Sequence, residues 1–424
     1  MKDDVTVSIS ISRKSDGVSV AEDLLKKQKQ VSNQPKALFL FTTIHYEKEF
    51  SNILSSIKKM FAHTPLIGGS VSGFMTEEGC FTRGAVLLSL SGDQLAVSAA
   101  MGKNTKKNPR KAVQQIIEGI EKQTPYENNV LVEFASTAVI PHLPGIGQKN
   151  VILSTTVGNQ LQKFVPLMNK FNYGYDRADE ILDFLAESYE DRLIIGGCTM
   201  DDNKMLVNYQ FFNDQYKENS LVALNLSFPN DIGFENILGF KPLDKTFTIT
   251  DVSKDKHVIK KIDGESARNR LFDELNIELT EQKRTHQLFK KSFYYPLGYK
   301  KNGIWHSSVI GIIYGDNLIF GSQIKNKELT LLSLSVGSIY QNIKNHLKDL
   351  EKKDLSFLFG FACETFLETL GGRIYHIQKE FKQINTPFLV VFLSGESFYH
   401  PDYGCHHLYE SMNLFTIEKS SHTS

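Results

Sequence analysis

At 424 residues, 41% apolar and 23% charged, the chain is composed like a soluble globular protein and is too long for one ordinary core, so two or three domains are expected. Its 48 Lys plus Arg balance 48 Asp plus Glu, which removes the net field that would draw it to nucleic acid or an anionic membrane. No apolar run reaches the roughly 18 residues of a membrane helix. Residues 1–30 lack the apolar stretch of a secretory signal, and the expected location is the cytoplasm.

Taken in chain order, Ala37–Thr42 reads as a buried strand, and Phe50, Ile53, Leu54, Ile57, Met60 and Phe61 then recur at helical spacing. Leu66 and Ile67 run into Gly68-Gly69, and Ala85–Leu90 supplies another strand. A helix is predicted over Pro109–Ile120, with Asn108 as its cap and Pro109 at its first position. Val130–Phe134, a helix around Ile181–Leu185, Leu193–Ile195 entering Gly196-Gly197, and Leu221–Leu226 repeat this order. Residues 84–91 and 220–227 look like one element used twice, so the amino-terminal region is expected to be internally duplicated. Residues 136–170, with Pro141, Pro144, Gly145 and Gly147, form a connection long enough to act as a lid or binding loop.

Beyond Pro229-Asn230-Asp231, strands are expected at 246–252 and 258–262, a helix at 266–275, and a hairpin of 309–313 with 318–320. Two long helices follow, one lined by Ile339, Ile343, Leu347 and Leu350, the other by Leu370, Ile374, Ile377, Phe381 and Ile384. The fold class is α+β, with mixed sheets covered by helices. The expected divisions are an extension (1–35), a region with two related halves (36–228), a second region (229–417) and a tail (418–424).

The final sixty residues hold the most chemistry. The apolar run Phe388–Leu393 reads as a strand covered on both faces, followed by Ser394-Gly395-Glu396. A carboxylate where such a strand ends must be solvated, paired or bound, because burying it bare costs several kcal/mol. The Gly-Gly pairs allow backbone to approach a ligand or another strand closely. Neither opens a Gly-x-Gly-x-x-Gly helix, so no nucleotide cofactor is expected. Cys80, Cys198, Cys363 and Cys405 are too widely spaced for a disulfide framework, and reduced thiols are expected. His400, Cys405, His406 and His407 cluster without metal-ligand spacing, and no metal is expected.

The order of these features resembles the FIST domain family, regarded as a sensory, small-ligand-binding module of intracellular signalling proteins. The resemblance runs through 66–70 and 194–198 in the first half, then 262–267, 295–297, 320–321 and Cys363 to Glu396 in the second. It implies a small ligand, amino-acid-like in one version, held by Glu396, Gly395, Ser394, Cys363, His306, His407, Gly196 and Gly197, with Glu396 pairing an ammonium group. Asp201-Asp202-Asn203 resembles the family's acidic turn. Two arginines typical of the family are replaced: Phe366 stands three residues after Cys363, the nearest arginine being Arg373, and His306 stands in the middle strand. Neither makes the bidentate carboxylate contact of a guanidinium. With no output motif in the chain, a signal would pass to a separate partner protein. Two alternatives stay open: an enzyme using Cys363 with His400 or His407 and Glu396, and a scaffold whose pocket has decayed.

Overall fold

A computed structural model describes residues 5–28, 34–120, 124–140, 142, 147–171, 173–277 and 291–419. The first stretch runs β1 (Thr6–Ser12), a helix Gly17–Gln28, β2 (Ala37–Thr42), a helix Phe50–Met60, β3 (Leu66–Ser70), a hairpin of β4 (Gly73–Thr76) and β5 (Gly79–Phe81), and β6 (Ala85–Ser91). Strands β2 and β3 are parallel, β6 is antiparallel to β2, and β1 closes on β6.

The second stretch follows the same plan. Its strands are β7 (Ala96–Lys103), β8 (Asn128–Ser136), the short β9 (Val151–Ile152) that joins another sheet, β10 (Leu193–Thr199), the hairpin β11 (Gln210–Phe212) and β12 (Gln215–Lys217), and β13 (Ser220–Phe228). β8 and β10 are parallel, β13 is antiparallel to β8, and β7 closes on β13. The look-alike segments at 84–91 and 220–227 thus hold the same place in their sheets.

A third stretch has this plan with an insertion. After β14 (Ile232–Leu238) come β15 (Phe240–Val252), β16 (Val258–Ile262), β17 (Glu265–Ser266), β18 (Leu297–Lys301), β19 (Ile304–Ser308), β20 (Ile310–Tyr314), β21 (Asn317–Phe320) and β22 (Glu328–Leu334), which form a separate nine-stranded sheet with β9. The plan then resumes with the helix Val336–Leu350, β23 (Leu355–Cys363), β24 (Phe388–Leu393), the hairpin β25 (Glu396–His400) and β26 (Gly404–Leu408), and β27 (Ser411–Glu418). β23 and β24 are parallel, and β27 lies antiparallel between β23 and β14.

Each hairpin leaves its own stretch. β4 pairs with β24, β11 with β3, and β25 with β10, so the three six-stranded sheets exchange hairpins in a closed cycle. Two of these exchanges span the division expected at residue 229.

Side-chain alternation along the strands explains the layering. Phe39 and Phe41 of β2 point toward one shared core with Val132 and Phe134 of β8 and Phe359 and Phe361 of β23. Leu38 and Leu40 point the other way, under the helices Gly17–Gln28 and Phe50–Met60. The outer faces of the other sheets are likewise covered, by helices Pro109–Gly119 and Ala178–Ala186 and by Val336–Leu350 and Ile374–Gln383. At the centre Phe41 meets Phe134 at 5.1 Å and Phe359 at 6.2 Å, and Phe134 meets Phe361 at 5.8 Å. Such aromatic pairs contribute about 0.5–1.5 kcal/mol each beyond burial.

Most predicted elements stand within a few residues of their expected ends. The last long helix does not: it breaks into Thr365–Leu370 and Ile374–Gln383 at Gly371, whose φ of 50° no helix continues through. Asn108 caps its helix through Lys111 N–H at 3.1 Å, with Pro109 at the first turn. Of the predicted loop, Pro141, Pro144 and Gly145 lie outside the described residues. In the described remainder β9 pairs with β20 of the inserted sheet, and Val139 bridges to Gly174 farther along the same stretch.

The Gly-Gly pairs have a packing role. A Cβ on Gly196 would overlap the Glu133 carbonyl of β8, and one on Gly197 the Gly395 carbonyl of the incoming hairpin; Gly68 and Gly69 meet Leu40 and Tyr209 carbonyls in the same way. Gly196→Ala is therefore expected to lower stability by about 3 kcal/mol or more. Gly311→Ala, whose Cβ would meet nothing closer than 3.9 Å, serves as the control with an unchanged urea midpoint.

Candidate functional site

The parallel strands β3, β10 and β24 end at one place, where the crossing hairpins begin. Ser394 N–H donates to Cys198 O at 2.9 Å, Cys198 N–H to Gly395 O at 3.1 Å, and Met200 N–H to Ser70 O at 2.9 Å. Gly395 takes φ 111°, and a Cβ there would lie 3.0 Å from the His407 ring, so only glycine fits. The chain then enters β25 directly.

Glu396 consequently lies inside the protein. Its carboxyl is fully buried and accepts Ser411 Oγ–H at 2.9 Å and Ser411 N–H at 3.3 Å, while Oε1 has no partner. Burial drives this carboxyl well above the usual range. The neighbouring Glu410, with neither oxygen partnered, is driven up the same way. Burial also lifts Glu133 of β8 to about 8, although Ser397 hydrogen-bonds it. The Cys363 thiol is pushed well above its ordinary value by burial and by Glu396, opposite to what a nucleophile needs.

Two cavities flank this hub. The first, about 40 Å³, lies between the crossover of the second stretch (Thr137–Ile140, Gly174–Asp176) and the inserted sheet (Val309, Ile312, Phe320), with Ser394 and Tyr409 at one end. Thr137 Oγ1–H donates to Ser394 Oγ at 2.8 Å there. Asp201 shapes the same wall: its buried carboxylate accepts the backbone N–H groups of residues 204 to 207, which sets Met205 against the cavity. The second, about 20 Å³, is polar, lined by Asp179, Asp183, Lys325, Ser308, His306 and His407 among others.

The histidines have defined partners. His407 Nδ1 meets Ser397 Oγ at 2.9 Å, and its Nε2 lies 3.9 Å from Asp176 Oδ1. His406 Nε2 meets Tyr403 O at 2.8 Å, so its Nδ1 is left to accept from His306 Nε2 at 2.6 Å. Burial, reinforced by His406, lowers His306 to about 2, and it stays neutral. Among the described residues no group of three or more His, Cys, Asp or Glu is placed to hold a metal ion.

Of the residues expected at a ligand site, Ser394 lines the first cavity and His306 and His407 the second. Glu396, Gly395, Cys363, Gly196 and Gly197 form the wall behind, and none of them lines either space. Phe366 packs in the outer core of the third sheet, Arg373 is exposed, and His400 sits in a surface cleft with Phe234 and Asp402. Sequence reasoning missed Glu133, Thr137, Asp176 and Tyr409. Glu133 had a signal, a lone carboxylate inside the apolar strand Val130–Phe134; Asp176, in a connection with no periodicity, had none.

The family model of the FIST N domain matches residues 36–265 of this chain. No curated protein matches it. Among solved structures, the chain is similar to a cyanuric acid hydrolase from A. caulinodans at 8% identity, over 57% of this chain and 78% of that one, with a TM-score of 0.28. A second cyanuric acid hydrolase, described as an evolutionary innovation by structural concatenation, is 8% identical over 78% of this chain and 100% of its own, with a TM-score of 0.26. Likeness at that level carries no argument about what this chain does. No helix among the described residues is long and apolar enough to cross a membrane.

The buried acids set a pH dependence. Between the ordinary value of 4.5 and about 8, folded Glu133 and Glu364 hold protons that the unfolded chain has released. These two acids therefore make stability fall as pH rises through that window. Lys106, lowered by burial to about 8 from 10.5, acts in the opposite sense above pH 8. His306, lowered by burial to about 2, acts in the opposite sense below its ordinary 6.5, so urea midpoints from pH 6.5 to 8 should decline in the wild type and decline less in Glu133→Gln.

Proposed function

Because a family model covers more than half of it, the chain belongs to the FIST family, and from that premise we propose that it is a small-ligand-binding sensory protein whose ligand sits beside Ser394. The family match ends at residue 265, and the reading of 229–417 as the family's second region is part of the proposal. The observation that carries it is the first cavity: a mostly apolar space with hydroxyls at one end, held between two separate parts of the chain. A ligand there would tie the crossover of residues 137–140 and 174–176 to strands β20 and β21.

Ser394 and Thr137 would supply hydroxyl hydrogen bonds, with Gly395, Glu396, Cys363, Gly196 and Gly197 fixing the wall behind them. His306 and His407 would close the polar side. The signal would leave through a change in association with a separate cytoplasmic signalling protein, as a ligand shifts the population of bound and free arrangements. An enzyme built on Cys363 draws no support from a thiol whose pKa is raised by burial. The decayed-pocket scaffold is the reading that fails if any ligand saturates.

The test is a thermal-shift screen of the wild type, Ser394→Ala and Gly311→Leu against a metabolite library. Gly311 lines the cavity, and a Cβ there would meet nothing closer than 3.9 Å. A true ligand at one hundred times its Kd should stabilise the wild type by about 2.7 kcal/mol. Gly311→Leu should fold normally and lose that gain, and Ser394→Ala should weaken it. Full stabilisation of Gly311→Leu by the same compound would place the site elsewhere.

A further inference from the structure

Asp176 is the polar group the first cavity leaves unsatisfied. It is 2% exposed and lines that space. Oδ2 accepts Tyr409 Oη–H at 3.0 Å, while Oδ1 has no hydrogen-bond partner. Two cationic candidates lie near Asp176 without hydrogen-bonding Oδ1: Lys106, whose charged form Asp176 favours, and His407. Lys106 Nζ donates to Thr137 O at 2.6 Å and Tyr175 O at 3.0 Å, and His407 Nε2 stands at 3.9 Å, beyond hydrogen-bond range. A carboxylate buried with an empty acceptor costs several kcal/mol, which a bound cation would recover.

The rest of the lining selects the ligand further. Val139, Ile140, Met205, Val309, Ile312 and Phe320 present apolar surface, and no Lys, Arg or His is among the residues that line the space. A carboxylate or phosphate on the ligand would find no counter-charge there. At about 40 Å³ the space equals roughly three water sites of 10–15 Å³ each, which suits an occupant of a few heavy atoms.

We propose that Asp176 is the ligand's anchor and that the ligand is a short aliphatic amine, its ammonium on Asp176 Oδ1 and its hydrocarbon among Val139, Ile312 and Phe320. The inference rests on the cavity being the sensory site. It transfers to Asp176 the ammonium contact expected of Glu396, which lines neither cavity.

The experiment measures melting temperature of the full chain with propylammonium chloride, n-propanol or sodium propionate at matched ionic strength. Wild type should be stabilised saturably by propylammonium alone. Asp176→Asn should lose that response. Should Asp176→Asn fail to fold, Gly311→Leu provides the second reading: it should also lose the propylammonium response. A response kept in Asp176→Asn, or in Gly311→Leu, overturns the anchor. Saturable stabilisation by propanol or propionate but not propylammonium, lost in Gly311→Leu, overturns the amine while the cavity reading stands. No response to any of the three also overturns the amine, and the library screen then decides the cavity reading by itself.

Discussion

Edge-to-face and tilted ring contact among Phe41, Phe134, Phe359 and Phe361 sets how closely three sheets pack around one apolar core. Each sheet must then be covered on its outer face by its own helices, and its parallel strands must end near the common centre. That shared ending is what lets a hairpin step from one sheet to the next. The three exchanges form a closed cycle, so no sheet completes itself from its own stretch of chain.

Glycine makes the crossings possible. At Gly196 and Gly197 the β10 backbone is pressed between β8 on one side and the entering hairpin on the other, with carbonyl oxygens where a Cβ would be. The same crossing leaves the acids of the strand ends in a dry interior. Burial raises the pKa of Glu133, Glu396 and Glu410 there, which favours their neutral forms. Asp176 lies at the edge of this hub and faces open space, which sets it apart as a point where a ligand could enter the network.

Much of the local structure was legible in the residues. Apolar runs at Ala37–Thr42 and Phe388–Leu393 are fully buried strands, Pro109 behind Asn108 starts a helix, and the two similar segments at 84–91 and 220–227 occupy the same sheet position. Legibility ended where strands change partners. Glu396 reads as the end of a strand because Gly395 interrupts the apolar run, yet it is the first residue of another strand in another sheet. The break at Gly371-Gly372 was written in the sequence too, but the periodicity on either side of it stays in phase and suggests one helix.

Alternation, helical spacing, capping and glycine placement therefore determined which residues form strands and helices, since those depend on neighbours a few positions away. Only the tertiary structure decided that β25 from residue 396 would lie beside β10 from residue 193, and that Asp176, Ser394 and Tyr409 would share one cavity. Pairing between segments hundreds of residues apart is chosen by how whole sheets fill space around a common core, and no local pattern carries that information.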